Sequence, residues 1–66
     1  MVKIDLYKKG VGVIQKFPDV PTLKEAEDFI ESYCQEHDIH VVAREHCDTA
    51  YWNYLSNGTE IDYCSE

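Results

Sequence analysis

A short run of the sequence, CQEHDIHVVAREHC, concentrates side chains that bind metals or act as nucleophiles. It spans residues 34–47 and holds two of the three cysteines and all three histidines. Thiolate and imidazole groups are the ligands that zinc prefers, and a thiol beside a histidine base can act as a nucleophile. The run therefore raises two chemical hypotheses, a metal site and a reactive cysteine.

Spacing divides this run into two groups. Cys34 and His37 lie three residues apart at the end of a predicted helix, and His40 follows at the start of a predicted strand. His46 lies about 20 Å beyond His40 in an extended strand, so one ion cannot bind both. Cys34, His37 and His40 remain candidate zinc ligands. The competing interpretation is a buried, hydrophobic Cys34, with His37 complementing the helix dipole.

Two catalytic alternatives have less support from the sequence than the zinc site. His46 and Cys47 are consecutive strand residues, whose side chains point to opposite faces. Glu60 and Asp62 share one face of a predicted strand, with Asp5 nearby if the sheet closes that way, but acid–base catalysis needs unequal burial of the two carboxyl groups. A solvated acidic face is the simpler interpretation, so we expect a protein without enzymatic activity or cofactor.

The elements that position these groups begin with a β-hairpin. Val2, Ile4 and Leu6 alternate with polar residues, which predicts a half-buried strand. A turn at Gly10 leads into a second predicted strand. In this strand, Val11, Val13 and Phe17 are predicted to share one side.

A helix and a third strand follow. Thr22 and Glu25 form a capping box, which predicts a helix from Thr22 to about His37. Its apolar residues recur at helical spacing: Leu23, Ala26, Phe29, Ile30, Tyr33 and Cys34. The segment IHVVAREH then predicts a strand with Ile39, Val41 and Ala43 opposite His40, Val42, Arg44 and His46.

The dipeptide Asn57-Gly58 predicts a second hairpin. With these two residues at the centre of the turn, Tyr54 faces Ile61 and Trp52 faces Tyr63, which places all four on one face. The other face then holds Tyr51, Asn53, Leu55, Glu60, Asp62 and Cys64.

These elements together predict a small α+β fold. Their order is β-β-α-β-β-β, which suits an antiparallel sheet of four to five strands with one amphipathic helix packed on one face. Residues 1–66 form a single predicted domain. The pattern does not determine which edge of the second strand group pairs with the first hairpin.

Charge limits the class of partner. Thirteen acidic residues against six basic ones give a net charge of -7. This balance disfavours direct binding to nucleic acid or an anionic membrane and favours a basic protein partner. Three cysteines without paired spacing do not predict a disulfide framework, and the first ten residues lack the apolar segment of a signal peptide. We therefore expect a cytoplasmic location.

Two surfaces are candidates for partner binding. The outward face of the helix carries Glu27, Asp28 and Glu31, followed by Gln35 one turn later and by Asp38. The predicted non-core face of the last hairpin carries Tyr51, Leu55, Glu60 and Asp62. Tyrosines among acids are typical of protein interfaces. The simpler alternatives are a solvated helix face and a hairpin face that packs on a second copy.

The sequence therefore predicts a non-enzymatic acidic module that binds and modulates or inhibits a basic, nucleic-acid-handling partner. In size, charge and element order it resembles the small antagonists of phages and mobile elements, such as anti-CRISPR proteins. This resemblance assigns no residue roles. The alternatives are a small zinc protein that uses Cys34, His37 and His40, and a structural homodimer.

Overall fold

The computed structural model describes residues 1–65 and contains five strands and one helix, in the predicted order. The elements are β1 (Val2–Lys8), β2 (Gly12–Val20), α1 (Leu23–His37), β3 (Val41–Cys47), β4 (Ala50–Leu55) and β5 (Thr59–Ser65). The predicted small α+β fold is therefore confirmed, with the helix packed on one face of the antiparallel sheet.

The sheet order, which the sequence left open, is β2-β1-β5-β4-β3. The first strand pairs with the last, from Val2 opposite Ser65 to Lys8 opposite Thr59. This pairing joins the two hairpins at the centre of the sheet and leaves β2 and β3 as the edges. All neighbouring strands are antiparallel.

Helix α1 begins and ends as its capping residues dictate. The side-chain oxygen of Thr22 accepts a 3.2 Å hydrogen bond from the Glu25 amide, which is half of the predicted capping box. At the other end Asp38 is left-handed, with φ of 54°. The Asp38 amide bonds the Gln35 carbonyl, and the Ile39 amide bonds the Cys34 carbonyl at 3.0 Å. These two bonds form a Schellman motif, which turns the chain back toward the sheet.

The core lies between α1 and the middle of the sheet. The helix buries Ala26, Ile30 and Cys34 and packs on β1, β2 and β5. The sheet residues buried beneath it are Val2, Ile4, Leu6, Leu55, Ile61 and Tyr63. We call this side of the sheet the helix face and the opposite side, which no other segment of residues 1–65 covers, the open face.

The predicted register of the last hairpin is wrong by one residue. Asn53 pairs with Ile61, and Tyr51 pairs with Tyr63. The loop has three residues rather than two, because the Gly58 amide bonds the Leu55 carbonyl at 3.1 Å and Gly58 takes a φ of 87°. This is a turn closed by a left-handed glycine, a known alternative to the two-residue loop.

Hydrogen bonds from Thr59 help to fix this loop. Its amide and its hydroxyl bond the side-chain oxygen of Asn57 at 3.1 Å and 2.6 Å. The one-residue shift moves Leu55 onto the helix face, where it is 3% exposed. It also separates Trp52 and Tyr54, which lie on the open face, from Ile61 and Tyr63, which lie in the core.

β-Bulges make two other predictions wrong, both of which concerned the residues that share a face of the sheet. In β2 the register shifts place Val13 opposite Tyr7 and Phe17 opposite Ile4, so Val13 and Phe17 lie on different faces. Val11 lies in the turn. Each bulge adds one unpaired residue and so reverses the alternation beyond it.

The third strand contains another such irregularity. A register shift between Val41 and Ala43 places Val41 opposite Leu55 and Arg44 opposite Asn53. Val41 and Arg44 therefore share the helix face, although the sequence pattern predicted opposite faces.

The left-handed Asp38 predicts a stabilising substitution. Asp38→Gly should raise the free energy of unfolding by up to about 1 kcal/mol, because glycine adopts positive φ without steric cost. Urea unfolding followed by circular dichroism measures this difference. As a control, Glu36→Gly within the helix should lower stability by about 1 kcal/mol. Destabilisation by both substitutions would contradict the assigned cap.

Candidate functional site

The open face carries acidic and aromatic side chains in two neighbouring rows across the strands. In one row Asp5 lies opposite Asp62, Asp62 opposite Trp52, and Trp52 opposite Glu45. In the other, Tyr7 lies opposite Glu60 and Glu60 opposite Tyr54. We call this set the acidic–aromatic patch: Asp5, Tyr7, Glu45, Trp52, Tyr54, Glu60 and Asp62.

Packing within the patch is tighter than on an ordinary solvated face. All of its members except Glu45 are half-buried, although no segment of residues 1–65 lies over them. Directly opposed side chains in a sheet approach to about 5 Å, so each ring shields the neighbouring carboxyl groups from water. Crowding of this kind strengthens the interactions between the charges.

Asp62 responds most strongly to this environment. Burial, a hydrogen bond with Glu60 and the charges of Glu60 and Asp5 raise its pKa from 3.8 to about 8. Its Oδ1 atom is shielded from solvent and has no hydrogen-bond partner among residues 1–65. Asp62 is therefore mostly protonated at neutral pH. A cation placed beside it would favour the ionised form.

Tyr54 occupies the side of the patch toward β3. Burial raises the pKa of its phenol, and the charges of Glu45 and Glu60 and a hydrogen bond to Glu45 raise it further. The hydroxyl thus stays protonated and can donate to the Glu45 carboxylate. Near the opposite side, Lys16 lies opposite Asp5. The β4–β5 region of the patch is consequently more acidic than its β2 border.

The acidic helix residues lie on the other side of the molecule. Glu27, Asp28 and Glu31 are exposed on α1, and Asp28 accepts a 3.4 Å hydrogen bond from Lys24. Asp38 forms the helix cap. Because α1 covers the helix face, these acids do not form one surface with Glu60 and Asp62. The two predicted partner-binding sets are therefore separate.

Tyr51 and Leu55, predicted to be exposed beside the acids, both lie on the helix face. Tyr51 is half-buried and stacks between His46 and Tyr63, with ring centroids 4.1 Å and 4.8 Å apart. Leu55 belongs to the core. Their places beside Glu60 and Asp62 are taken by Trp52 and Tyr54, which the two-residue turn had assigned to the opposite face.

The candidate zinc ligands Cys34, His37 and His40 have separate environments in the structure. Cys34 is buried, which raises the pKa of its thiol. The His37 ring packs on Tyr33 with centroids 4.2 Å apart, and the His40 amide bonds the Ser56 hydroxyl at 3.1 Å. Within the part of the chain that the structure describes, no three His, Cys, Asp or Glu side chains are arranged to hold a metal ion.

The other histidine–cysteine pair is also divided. His46 lies opposite Tyr51 on the helix face, and Cys47 lies opposite Ala50 on the other face. The Nε2 atom of His46 is 2.7 Å from the Asp48 carbonyl oxygen and donates to it. This hydrogen bond holds the imidazole on the face of the sheet opposite to the Cys47 thiol.

We found no match to the chain among protein-family models, curated proteins or solved structures. The one helix of residues 1–65 lacks the length and apolar character needed to cross a membrane.

Asp62 predicts a pH-dependent stability. Its raised pKa means that the folded state binds more protons than the unfolded state between pH 3.8 and about 8, so this group lowers the free energy of unfolding as pH rises through that window. Asp62→Asn should therefore stabilise the protein more at pH 9 than at pH 5. The difference should be on the order of 1 kcal/mol, because solvent screens a partly exposed group.

Chemical unfolding of both proteins at the two pH values measures this effect. Glu31→Gln provides a control on the exposed helix surface and should change the free energy of unfolding by less than about 0.5 kcal/mol at either pH. Parallel pH profiles for the wild type and Asp62→Asn would show that Asp62 titrates normally.

Proposed function

We propose that this protein is a non-catalytic binding module that docks a basic segment of another protein on the acidic–aromatic patch. The observation that carries the proposal is the crowding of Asp5, Glu60 and Asp62 beside Trp52 at the centre of an uncovered sheet face. Solvated carboxyl groups are normally ionised at neutral pH, whereas burial, a hydrogen bond with Glu60 and repulsion from Glu60 and Asp5 raise the pKa of Asp62 to about 8. A lysine or arginine side chain would relieve that repulsion.

The aromatic members of the patch suit the same ligand. Trp52 and Tyr54 offer ring faces next to the carboxyl groups, and cations bind favourably over such rings. The aliphatic stems of lysine and arginine also pack well on aromatic surfaces. Tryptophan and tyrosine are common among the residues that dominate binding energy at protein interfaces.

Net charge supports a basic partner as well. At -7 the chain attracts cationic surfaces over long range and speeds their association at low salt. Proteins that handle nucleic acid present surfaces of this kind. Covering such a surface would block or modulate the partner, which is the proposed mode of action.

The single tryptophan provides a direct test, since Trp52 lies within the patch. The probe is a twelve-residue peptide of alternating lysine and threonine, compared with one of alternating glutamate and threonine. We expect the lysine peptide to change Trp52 fluorescence in a saturable, salt-sensitive titration, because it supplies the cations that the patch lacks. The glutamate peptide should have no effect.

Matched variants separate the patch from overall charge. The double variant Glu60→Gln/Asp62→Asn should weaken binding of the lysine peptide by about tenfold, a loss of about 1.4 kcal/mol. The control Asp28→Asn/Glu31→Gln removes two carboxyl groups from the opposite side and should change binding by less than about twofold. Equal weakening by both, or loss only in the helix variant, would overturn the proposed site.

A further inference from the structure

The two edges of the sheet are protected to different degrees. Edge β2 contains two register shifts, and its residues include Lys16 and Pro18. Bulges, prolines and lysines are the usual devices that prevent a sheet edge from pairing with another chain. Edge β3 has neither proline nor lysine, and beyond its shift at Val42 the segment Ala43–Cys47 pairs regularly with β4.

The outer side of β3 is accessible. Residues 42–47 are all exposed, and Val42 is 59% exposed. Alternate residues of an edge strand direct their amide and carbonyl groups away from the sheet. The helix packs on β1, β2 and β5, so it does not shield this edge. The backbone of Ala43–Cys47 is therefore a template on which a further strand can pair.

We infer that β3 is a second docking surface, which binds an extended segment of a partner protein as a sixth, antiparallel strand. Antiparallel pairing is favoured because every other pair in the sheet is antiparallel. This surface lies along the edge of the sheet and shares only Glu45 with the patch, and it supplies backbone hydrogen bonds that the proposed function does not include.

Three cross-strand rows end on β3 and specify the side chains of the added strand. The row Tyr63–Tyr51–His46 is a stack of rings, whose last members are 4.1 Å apart and inclined by only 3°. The outer face of His46 is exposed, so a ring opposite it would continue the stack. An aromatic residue is therefore the fitting partner at this position.

The other two rows end in charged residues. Glu45 ends the row that contains Asp62 and Trp52, so it favours lysine or arginine opposite it. Arg44 is held by a 3.1 Å hydrogen bond from its Nε to the buried Asn53 and favours an acidic residue. An antiparallel strand that meets these three residues has the order aromatic, basic, acidic.

A second copy of this chain fits the edge poorly. Symmetric antiparallel pairing keeps residues of one face opposite each other, so a register centred on Arg44 places Arg44 opposite Arg44, and one centred on Glu45 places Glu45 opposite Glu45. Like charges directly opposite each other destabilise a sheet. These two registers therefore disfavour a second copy, whereas a different protein with the order aromatic, basic, acidic avoids both clashes.

Hydrogen exchange measured by NMR tests this inference. The probe is the peptide Thr-Val-Thr-Tyr-Lys-Glu-Thr-Val-Thr, and we expect it to slow exchange of outward-directed amides within Ala43–Cys47 by at least about tenfold. Amides of β2 should be unaffected. A peptide of the same sequence with all of its internal backbone amides N-methylated, which keeps the side chains but cannot donate hydrogen bonds along either edge, should give no protection. Protection only on β2, protection on neither edge, or equal protection by the methylated peptide would overturn the inference.

A charge exchange tests the register. The variant Glu45→Lys should bind the probe about fivefold or more weakly than the wild type does. It should bind the peptide in which glutamate replaces the central lysine about fivefold or more tightly than the wild type does. Equal preference for the two peptides would contradict the assigned pairing. If the β3 amides are protected from exchange without peptide, and this protection increases with protein concentration, a second copy is the occupant instead.

The patch variant separates this surface from the proposed function. Glu60→Gln/Asp62→Asn should retain β3 protection by the probe even where it loses the fluorescence response to the lysine peptide. Loss of both responses together would show that the edge is not a separate surface.

Discussion

One helix covers a sheet that is about twice its width, and the rest of the structure depends on this mismatch. A helix is about 10 Å across, whereas five strands about 4.8 Å apart span about 19 Å. Helix α1 accordingly packs on β1, β2 and β5 and leaves the rest of that face and all of the other uncovered. Side chains in the uncovered regions must satisfy one another, water or a partner.

The sheet meets this constraint differently on its two faces. On the helix face, Asn53 is 2% exposed and its amide group donates to the Ile61 carbonyl, while its oxygen accepts from Arg44. These bonds satisfy polar groups next to the core. On the open face, carboxyl groups and rings shield one another from water, and this burial together with the neighbouring charges raises the pKa of Asp62. The helix-face groups find partners within the chain, whereas the Oδ1 atom of Asp62 has no hydrogen-bond partner among residues 1–65.

Local signals in the sequence predicted the elements, and they failed where two local structures compete. The capping box at Thr22 placed the start of the helix because its hydrogen bonds are local. Asn57-Gly58 suits both two-residue and three-residue loops, and the choice between them reverses the faces of Trp52 and Leu55. Bulges in β2 and β3 are equally invisible to a pattern of alternation. Glu60 and Asp62 could therefore be assigned to a candidate surface from the sequence, whereas their neighbours Trp52 and Tyr54 could not.

Pairing of β1 with β5 has a consequence for folding. The two hairpins can form from local contacts, but the centre of the sheet brings together strands from opposite ends of the described chain. Closing so long a loop costs entropy before any hydrophobic contact is gained, and such topologies fold slowly. The backbone edge of β1 that faces the centre of the sheet has no partner until β5 pairs with it. Until then Ile4, which is 1% exposed in the folded protein, lacks part of its burial and can associate with other chains.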